Sequence, residues 1–291
     1  MAAVVSLCAW GCAGIHSDRA EAASPYADLY RRGTNEFAEA CFFKPAAAKT
    51  NDMVFALAPL ILQEVNAAPE PQARPDRFGT LSLTNGMLTL DRSRPAIYWQ
   101  ADTVRLKVKE HVRFAYVWCY SAGASGQGKA GLALQGLRIT LNSAGQPVIW
   151  EALADNSGAE LIFVSQSLEA AALAEFGKPL PGRRYAIERG VKEVPNVVVA
   201  RVIDDGPVAM GPFVYLSAGT RSVSTLICRC MPAQAKKLLA ASAYDLLPFQ
   251  AEAQLRLTQV KVLGKERTAF WPGDGRSDQQ LEHCLRLPSA F

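Results

Sequence analysis

Two cysteines near residue 230 are the side chains best placed for chemistry in this sequence. Cys228 and Cys230 end a predicted strand, where side chains two residues apart share one face of the sheet. Their Cα atoms are then about 6.6 Å apart, near the upper limit for a direct disulfide, so a soft metal ion or separate disulfide partners suit them better. We predict a metal or redox site here, which Met231, His283 and Cys284 complete if the C-terminal helix folds back. The alternative interpretation is that the cysteines are small, buried hydrophobic residues.

A glycine-rich segment, residues 123–131, nearly matches two phosphate-binding patterns. Its GASGQGKA stretch fits G-x-x-x-x-G-K-[S/T] until Ala130, which lacks the hydroxyl that would hold magnesium. The overlapping residues 126–131 spell G-x-G-x-x-G. Both patterns need a following helix whose N-terminal amides face the phosphate, whereas residues 132–141 have the pattern of a strand. We therefore predict a flexible connection between two strands and no bound cofactor.

The sequence contains no arrangement typical of nucleophilic catalysis. It lacks a G-x-S-x-G motif, and its three histidines are far apart: His16, His111 and His283. Cys119 with His111 as its base would require a turn, because eight residues of strand separate them by more than about 20 Å. We predict instead that Cys119 packs beside its aromatic neighbours. Asp204 and Asp205 precede Gly-Pro, a sequence typical of a turn.

Alternating hydrophobic residues predict paired strands in the middle of the chain. Val104, Leu106 and Val108 alternate with basic residues, and the alternation resumes from Val112 to Trp118, as a hairpin or one bent strand. A second hairpin is predicted from residues 137–150, which contain the turn sequence Asn-Ser-Ala-Gly. Each of these strands has one apolar face.

Three further strands are predicted between residues 196 and 228. They cover residues 196–203, 213–216 and 223–228, and the turn sequences Asp-Asp-Gly-Pro and Ser-Ala-Gly-Thr separate them. This spacing predicts an antiparallel three-strand meander.

Helices are predicted at three places from their terminal signals. Ser167 can cap a helix over 168–176 that ends at Gly177, and Pro232 fits the first turn of a helix over 233–247. Ser277 begins a capping box for a short C-terminal helix. Because strands and helices do not alternate regularly, we predict an α+β fold: mostly antiparallel β-sheet, with hairpins, a three-strand meander and a few short packed helices.

The first 15 residues predict where the protein works. They are apolar apart from Ser6, carry no acidic or basic side chain, and give way abruptly to His-Ser-Asp-Arg. This length fits the apolar region of a signal peptide and falls short of the roughly 20 residues that span a bilayer. The tetrapeptide Ala-Trp-Gly-Cys that ends at Cys12 resembles the cleavage box of a bacterial lipoprotein precursor, which implies lipidation of Cys12. Cleavage near residues 20–23 without a lipid, and a cytoplasmic chain that keeps its N-terminus, are the alternatives.

Composition bears on domains and partners. The 31 basic and 27 acidic residues are scattered along the chain, so no nucleic-acid surface is expected. No segment beyond the leader is apolar for long enough to span a membrane, so we expect membrane contact through a lipid alone.

After a leader over residues 1–23, residues 24–291 are expected to form one α+β domain, or two closely packed lobes that meet near 123–131. Removal of the leader leaves an odd number of cysteines, and export would favour at least one disulfide.

Three functional hypotheses follow from these patterns. The first is an exported, lipid-anchored envelope protein that binds a protein or small molecule, or has a structural role, with Tyr98, Trp99 and Trp271 as candidate contacts. The second is an enzyme of unidentified class, whose site would lie where residues 123–131, residues 204–210 and the cysteine pair converge. The third is a cytoplasmic thiol or metal protein that uses reduced Cys228 and Cys230.

Overall fold

In a computed structural model, the chain folds mainly into β-strands. The structure describes residue 30 and residues 37–46, 52–65, 77–84, 87–122, 131–153, 159–230, 235–249 and 281–291. Of the described residues, 54% lie in strands and 11% in helices. The fold is therefore β-rich, and helices contribute little to it.

Thirteen strands and two helices follow one another along the described part of the chain. They are β1 (Phe37–Pro45), α1 (Met53–Ala56), β2 (Leu60–Glu64), β3 (Thr80–Thr84), β4 (Met87–Asp91), β5 (Ala96–Leu106), β6 (Lys109–Ala122), β7 (Gly131–Leu141), β8 (Pro147–Leu153), β9 (Glu160–Ser165), α2 (Gln166–Phe176), β10 (Val197–Ile203), β11 (Phe213–Leu216), β12 (Val223–Ile227) and β13 (Ala235–Pro248). A single helical turn also covers residues 281–284.

Eleven of these strands form one mixed sheet, which is nearly barrel-shaped. Their order is β10-β9-β8-β7-β6-β5-β13-β1-β2-β11-β12, and the edge strands β10 and β12 contact each other. Four of the ten described pairings are parallel: β10 with β9, β5 with β13, β13 with β1, and β2 with β11. The predicted fold class, a mostly antiparallel sheet with a three-strand meander, is therefore wrong. Parallel neighbours are joined by long connections, which leave no local turn signal in the sequence.

The three strands of the predicted meander exist, but only the second and third of them pair with each other. β11 and β12 pair antiparallel, and the other neighbour of β11 is β2, which lies parallel to it. β10 lies at the opposite edge of the sheet and pairs parallel with β9. The turn residues after β10 predicted a reversal of the chain correctly, but they could not specify which strand comes next to it.

The predicted helix over residues 233–247 is also wrong, because residues 235–248 form β13. This strand lies inside the sheet between β1 and β5 and is parallel to both. Its Ala, Lys and Leu residues favour a helix, but backbone pairing with two neighbours outweighs that preference. Tyr244 fixes the strand to the core, since it is 1% exposed and donates to the Pro59 carbonyl over 2.7 Å.

The two central hairpins and one helix are confirmed. β5 and β6 pair antiparallel around Lys107 and Val108, and β7 and β8 pair around residues 142–146. Val108, predicted on the apolar face of the first strand, lies in this turn and is 82% exposed. α2 ends at Gly177, whose φ is 73°. Its N-cap is Ser165, whose hydroxyl accepts the Leu168 N–H over 3.2 Å, and the predicted cap Ser167 lies inside the helix.

The largest hydrophobic cluster draws on nearly every strand of the sheet. Its fully buried aromatic residues include Tyr116, Trp118 and Phe163. A second cluster joins α2 and residues 281–291 to strands β8, β9 and β10. α2 and the C-terminal segment therefore cover a part of the sheet that would otherwise expose apolar side chains.

Candidate functional site

A pocket of about 330 Å³ lies where several strands end, and we call it the strand-end pocket. Its walls come from the turn between β7 and β8, the start of α2, and the residues that follow β10 and β12. Trp150, Met210 and Arg229 line it. The mouths of barrel-like sheets are common sites for small ligands, because the loops there meet over a rigid frame.

Two of the three features expected to converge at a site line this pocket. Residues 204–206, 208 and 210 contribute from the loop after β10, and Cys228 contributes from the end of β12. The glycine-rich residues 123–130 lie outside the described part of the chain, although the flanking strands β6 and β7 pair directly. Residues 204–210 follow β10 and Cys228 follows β12. They meet because β10 and β12, the two edge strands of the sheet, contact each other.

Two buried N–H groups on the pocket's lining residues have no hydrogen-bond partner among the described residues. They are the indole Nε1–H of Trp150 and the Nε–H of Arg229. Trp150 is only 4% exposed, so bulk water does not replace the missing acceptor. A buried donor without an acceptor costs about 1–3 kcal/mol. Both donors belong to residues that line the pocket, but the nitrogen atoms themselves are buried, so a ligand acceptor would reach them only if these side chains shift.

The other nitrogen atoms of Arg229 donate to backbone carbonyls. Nη1 lies 3.4 Å from the Ala56 oxygen, and Nη2 donates to the Ala58 carbonyl. Burial lowers the pKa of Arg229, because desolvation disfavours the charged form. Carbonyl oxygens orient the guanidinium but do not neutralise it, so its charge attracts an anion in the pocket, whereas Asp204 and Asp205 in the same lining repel one.

A close backbone contact fixes the pocket loop against the segment after α1. The Gly211 N–H donates to the Ala56 carbonyl over 2.9 Å, and the Leu60 N–H donates to Pro212 over 3.0 Å. A Cβ atom at Gly211 would lie 2.2 Å from the Leu57 oxygen. The loop therefore depends on glycine at this position, since any side chain would collide with backbone.

Two aspartates, Asp204 and Asp205, line the side of the pocket formed by the loop after β10. Asp205 accepts the backbone N–H and the hydroxyl of Ser167, each over 2.9 Å, and so ties the loop to the start of α2. Asp204 is exposed. No histidine is among the described residues that line the pocket, so the Ser167–Asp205 pair lacks the imidazole that a catalytic triad requires.

A second pocket, of about 370 Å³, lies between α2 and the C-terminal segment. Arg189 and Arg286 line it, and both guanidinium groups already donate to backbone carbonyls: Arg189 to Glu282, and Arg286 to Glu188 and Ala186. Its cations therefore hold the C-terminal segment in place. The strand-end pocket is the better candidate site, because its lining residues carry donors that no described residue satisfies.

Cys228 and Cys230 are joined by a disulfide, with their Cα atoms 5.2 Å apart. The separation is shorter than the spacing expected in a strand because β12 ends at Ile227, and residues 229–230 form a turn. The predicted partners His283 and Cys284 lie elsewhere. His283 is exposed, and Cys284 packs in the second cluster with its Sγ 3.9 Å from Glu160.

Within the described residues, no group of three or more His, Cys, Asp or Glu side chains is placed to hold a metal ion. Met231 and Cys12 lie outside those residues. Their predicted roles, as a metal or redox ligand and as a lipidation site, therefore stay predictions.

The remaining described candidates from the sequence are packed against other residues of the fold. His111 is 2% exposed on β6, has its Nδ1 3.0 Å from the Leu141 oxygen, and stacks on Phe291. Cys119 is fully buried, but it packs with Val117 and Leu134 on the face of β6 opposite Trp118 and Tyr120, so the predicted packing beside its aromatic neighbours is wrong. Tyr98 is 7% exposed, and Trp99 is partly buried against the core, so neither is a freely exposed contact. Trp271 lies outside the described residues.

Sequence reasoning missed Trp150 and Arg229 as functional residues. Trp150 was recognised only as part of a hairpin, because nothing local predicts that its N–H lacks an acceptor. Arg229 lies between the two cysteines, at the end of an apolar strand. A basic residue directly after an apolar strand is placed to be buried. A buried cation needs a hydrogen-bond acceptor or a counter-ion, and this need is a signal of a site.

No protein-family model, curated protein or solved structure matches this chain. The chemistry of the pocket is therefore the basis for assigning a function. In the part of the chain that the structure describes, none of the helices has the length and apolarity needed to cross a bilayer.

Proposed function

We propose that this protein is a binding protein that takes a small organic carboxylate into the strand-end pocket. The observation that carries the proposal is the pair of buried N–H donors on Trp150 and Arg229 that lack a partner among the described residues. A carboxylate has two acceptor oxygens and a negative charge, and it binds guanidinium groups in charge-assisted hydrogen bonds.

The remainder of the pocket defines the rest of the ligand. Ile203, Val208 and Met210 supply apolar wall, which suits a short hydrocarbon chain. The volume of about 330 Å³ lies at the lower end of the range for ligand pockets, so the ligand is small. The unbranched thioether of Met210 can adapt to ligands of different shape.

The proposed place of action is the cell envelope. The apolar leader and the box that ends at Cys12 support export and lipid anchoring. In this proposal the membrane is a partner only through the lipid on Cys12, and the protein body presents the pocket to ligands outside the cytoplasm. The disulfide between Cys228 and Cys230 accords with an oxidising compartment.

Calorimetric titration of the full chain with hexanoate tests the proposal, with hexylamine as a probe of equal length and opposite charge. We expect saturable binding of hexanoate and none of hexylamine. Trp150→Phe keeps the aromatic bulk and removes one donor, so its affinity should fall by about tenfold or more, since a hydrogen bond to a charged group contributes about 1.5–3 kcal/mol. Arg229→Gln should abolish binding.

Two variants serve as matched controls for this titration. Trp118→Phe alters a buried tryptophan outside the pocket, and Arg105→Gln removes an exposed positive charge from β5. Both should bind hexanoate as the unaltered chain does. Equal affinity for hexanoate and hexylamine, or no loss of affinity in Trp150→Phe, would refute the carboxylate assignment.

A further inference from the structure

The two sulfur atoms of the Cys228–Cys230 disulfide lie in unequal surroundings. Cys228 is 6% exposed and belongs to the main hydrophobic cluster, whereas Cys230 is exposed in the turn after β12. Thiol–disulfide exchange begins when a thiolate attacks one sulfur, and access decides which one is attacked. Cys230 is therefore the more accessible sulfur, although Cys228 also lines the strand-end pocket.

The buried sulfur has one hydrogen-bond donor beside it. The backbone N–H of Cys230 donates to the Cys228 Sγ over 3.2 Å. This hydrogen bond strengthens when the sulfur becomes a thiolate, because the acceptor then carries a full negative charge. Exchange is faster when the departing thiolate is stabilised, and this hydrogen bond offsets part of the desolvation that burial imposes on a Cys228 thiolate. The direction of attack is therefore set by the exposure of Cys230.

The turn that carries the pair is anchored independently of the disulfide. Arg229 lies between the cysteines, and its guanidinium is held by the carbonyls of Ala56 and Ala58. Breaking the sulfur–sulfur bond leaves these contacts intact. The two thiols would therefore remain close to each other after reduction, ready to form the disulfide again.

We propose that the Cys228–Cys230 disulfide is a thiol–disulfide exchange site that oxidises low-molecular-weight thiols. A thiolate RS⁻ attacks Cys230 Sγ, the Cys228–Cys230 bond breaks, and Cys228 leaves as a thiolate. A second RS⁻ then attacks the sulfur of the bound R group, which releases RSSR and the Cys230 thiolate. Two thiols lose two electrons, the disulfide gains them, and the protons from the two thiols end on Cys228 and Cys230.

The other cysteines of the described residues provide an internal reference. Cys41, Cys119 and Cys284 are free and buried. Burial raises the pKa of each thiol, that of Cys284 to about 12. They are therefore unreactive near neutral pH, and exchange at any of them would not follow from the structure.

The test uses the full chain and reduced glutathione, with acid quenching, alkylation of free thiols and tryptic peptide mapping by mass spectrometry. Trypsin cleaves after Arg229, so the two cysteines fall in separate peptides, residues 222–229 and 230–236. We expect glutathione first on the peptide with Cys230, a free thiol at Cys228, and one oxidised glutathione formed per protein. A disulfide that resists glutathione, or glutathione attached first to Cys228, would overturn the proposal.

Single variants separate accessibility from disulfide formation. With oxidised glutathione, Cys228→Ser should form a mixed disulfide at Cys230 quickly, and Cys230→Ser should react slowly at the buried Cys228. Cys284→Ser should exchange as the unaltered chain does. Equal rates for Cys228→Ser and Cys230→Ser would contradict the assigned direction of attack.

Discussion

At the scale of single residues, the candidate site depends on atoms whose partners are missing or whose neighbours leave no space. Trp150 and Arg229 carry buried donors without a described acceptor, and Gly211 fits only because it has no Cβ. None of these properties can be read from residue type alone. A tryptophan in a hairpin and a glycine in a loop are ordinary in sequence, and they become informative only when distant residues surround them.

Gly211→Ala should destabilise the protein and displace the pocket loop. The new Cβ would lie 2.2 Å from the Leu57 oxygen and 2.7 Å from the Ala58 oxygen, so backbone must move. We expect a loss of about 1–3 kcal/mol in the free energy of unfolding, as for other overpacked sites. Urea denaturation measures the loss.

Gly190→Ala is the matched control for this change. There the nearest atom to the new Cβ is the end of the Glu193 side chain, 3.2 Å away, which can move. Its stability should be close to that of the unaltered chain. If Gly211→Ala is as stable as Gly190→Ala, the close contact between the loop and residues 57–58 does not exist.

At the scale of elements, the sequence predicted those whose signals are local. The hairpins β5–β6 and β7–β8 and the helix α2 were predicted because alternation, turn residues and a terminal glycine lie within each element. β13 was predicted as a helix because its strand conformation depends on β1 and β5, which are far away in sequence. The strand-end pocket was predicted only in part for the same reason, since the contact between β10 and β12 is non-local.

The N-cap of α2 provides a test at this scale. The sequence favoured Ser167, but in the structure Ser165 accepts the Leu168 N–H. Ser165→Ala should lower the free energy of unfolding by about 1 kcal/mol, the typical contribution of such a cap. Ser167→Ala should cost less, because its hydroxyl makes an exposed hydrogen bond to Asp205.

Thermal and urea unfolding of the two serine variants provide the comparison. A larger loss of stability in Ser167→Ala than in Ser165→Ala would indicate that the helix begins two residues later than the structure places it.

At the scale of the whole molecule, one sheet connects residues from β1 to β13. β1 and β13 are adjacent although they lie near opposite ends of the chain, with Lys237 and Glu39 joined across the pair at 2.9 Å. β6 and β7, which flank residues 123–130, also pair along their length. Strands from both halves of the chain therefore depend on the same sheet.

We expect this sheet to unfold in one cooperative transition. Urea unfolding followed by tryptophan fluorescence and by far-ultraviolet circular dichroism should give the same midpoint, because no part of the sheet is complete without the rest. Two separate transitions would indicate two lobes that fold independently, with a boundary near residues 123–131.

The indole N–H resonance of Trp150 gives the most direct test of the central claim that the strand-end pocket binds a carboxylate. The resonance can be assigned in a proton–nitrogen correlation spectrum by its loss in Trp150→Phe, and then followed during titration with hexanoate. We expect a saturable downfield shift of this indole signal as a hydrogen bond forms, and no such shift with hexylamine. A Trp150 signal that stays unchanged up to saturating hexanoate would contradict it.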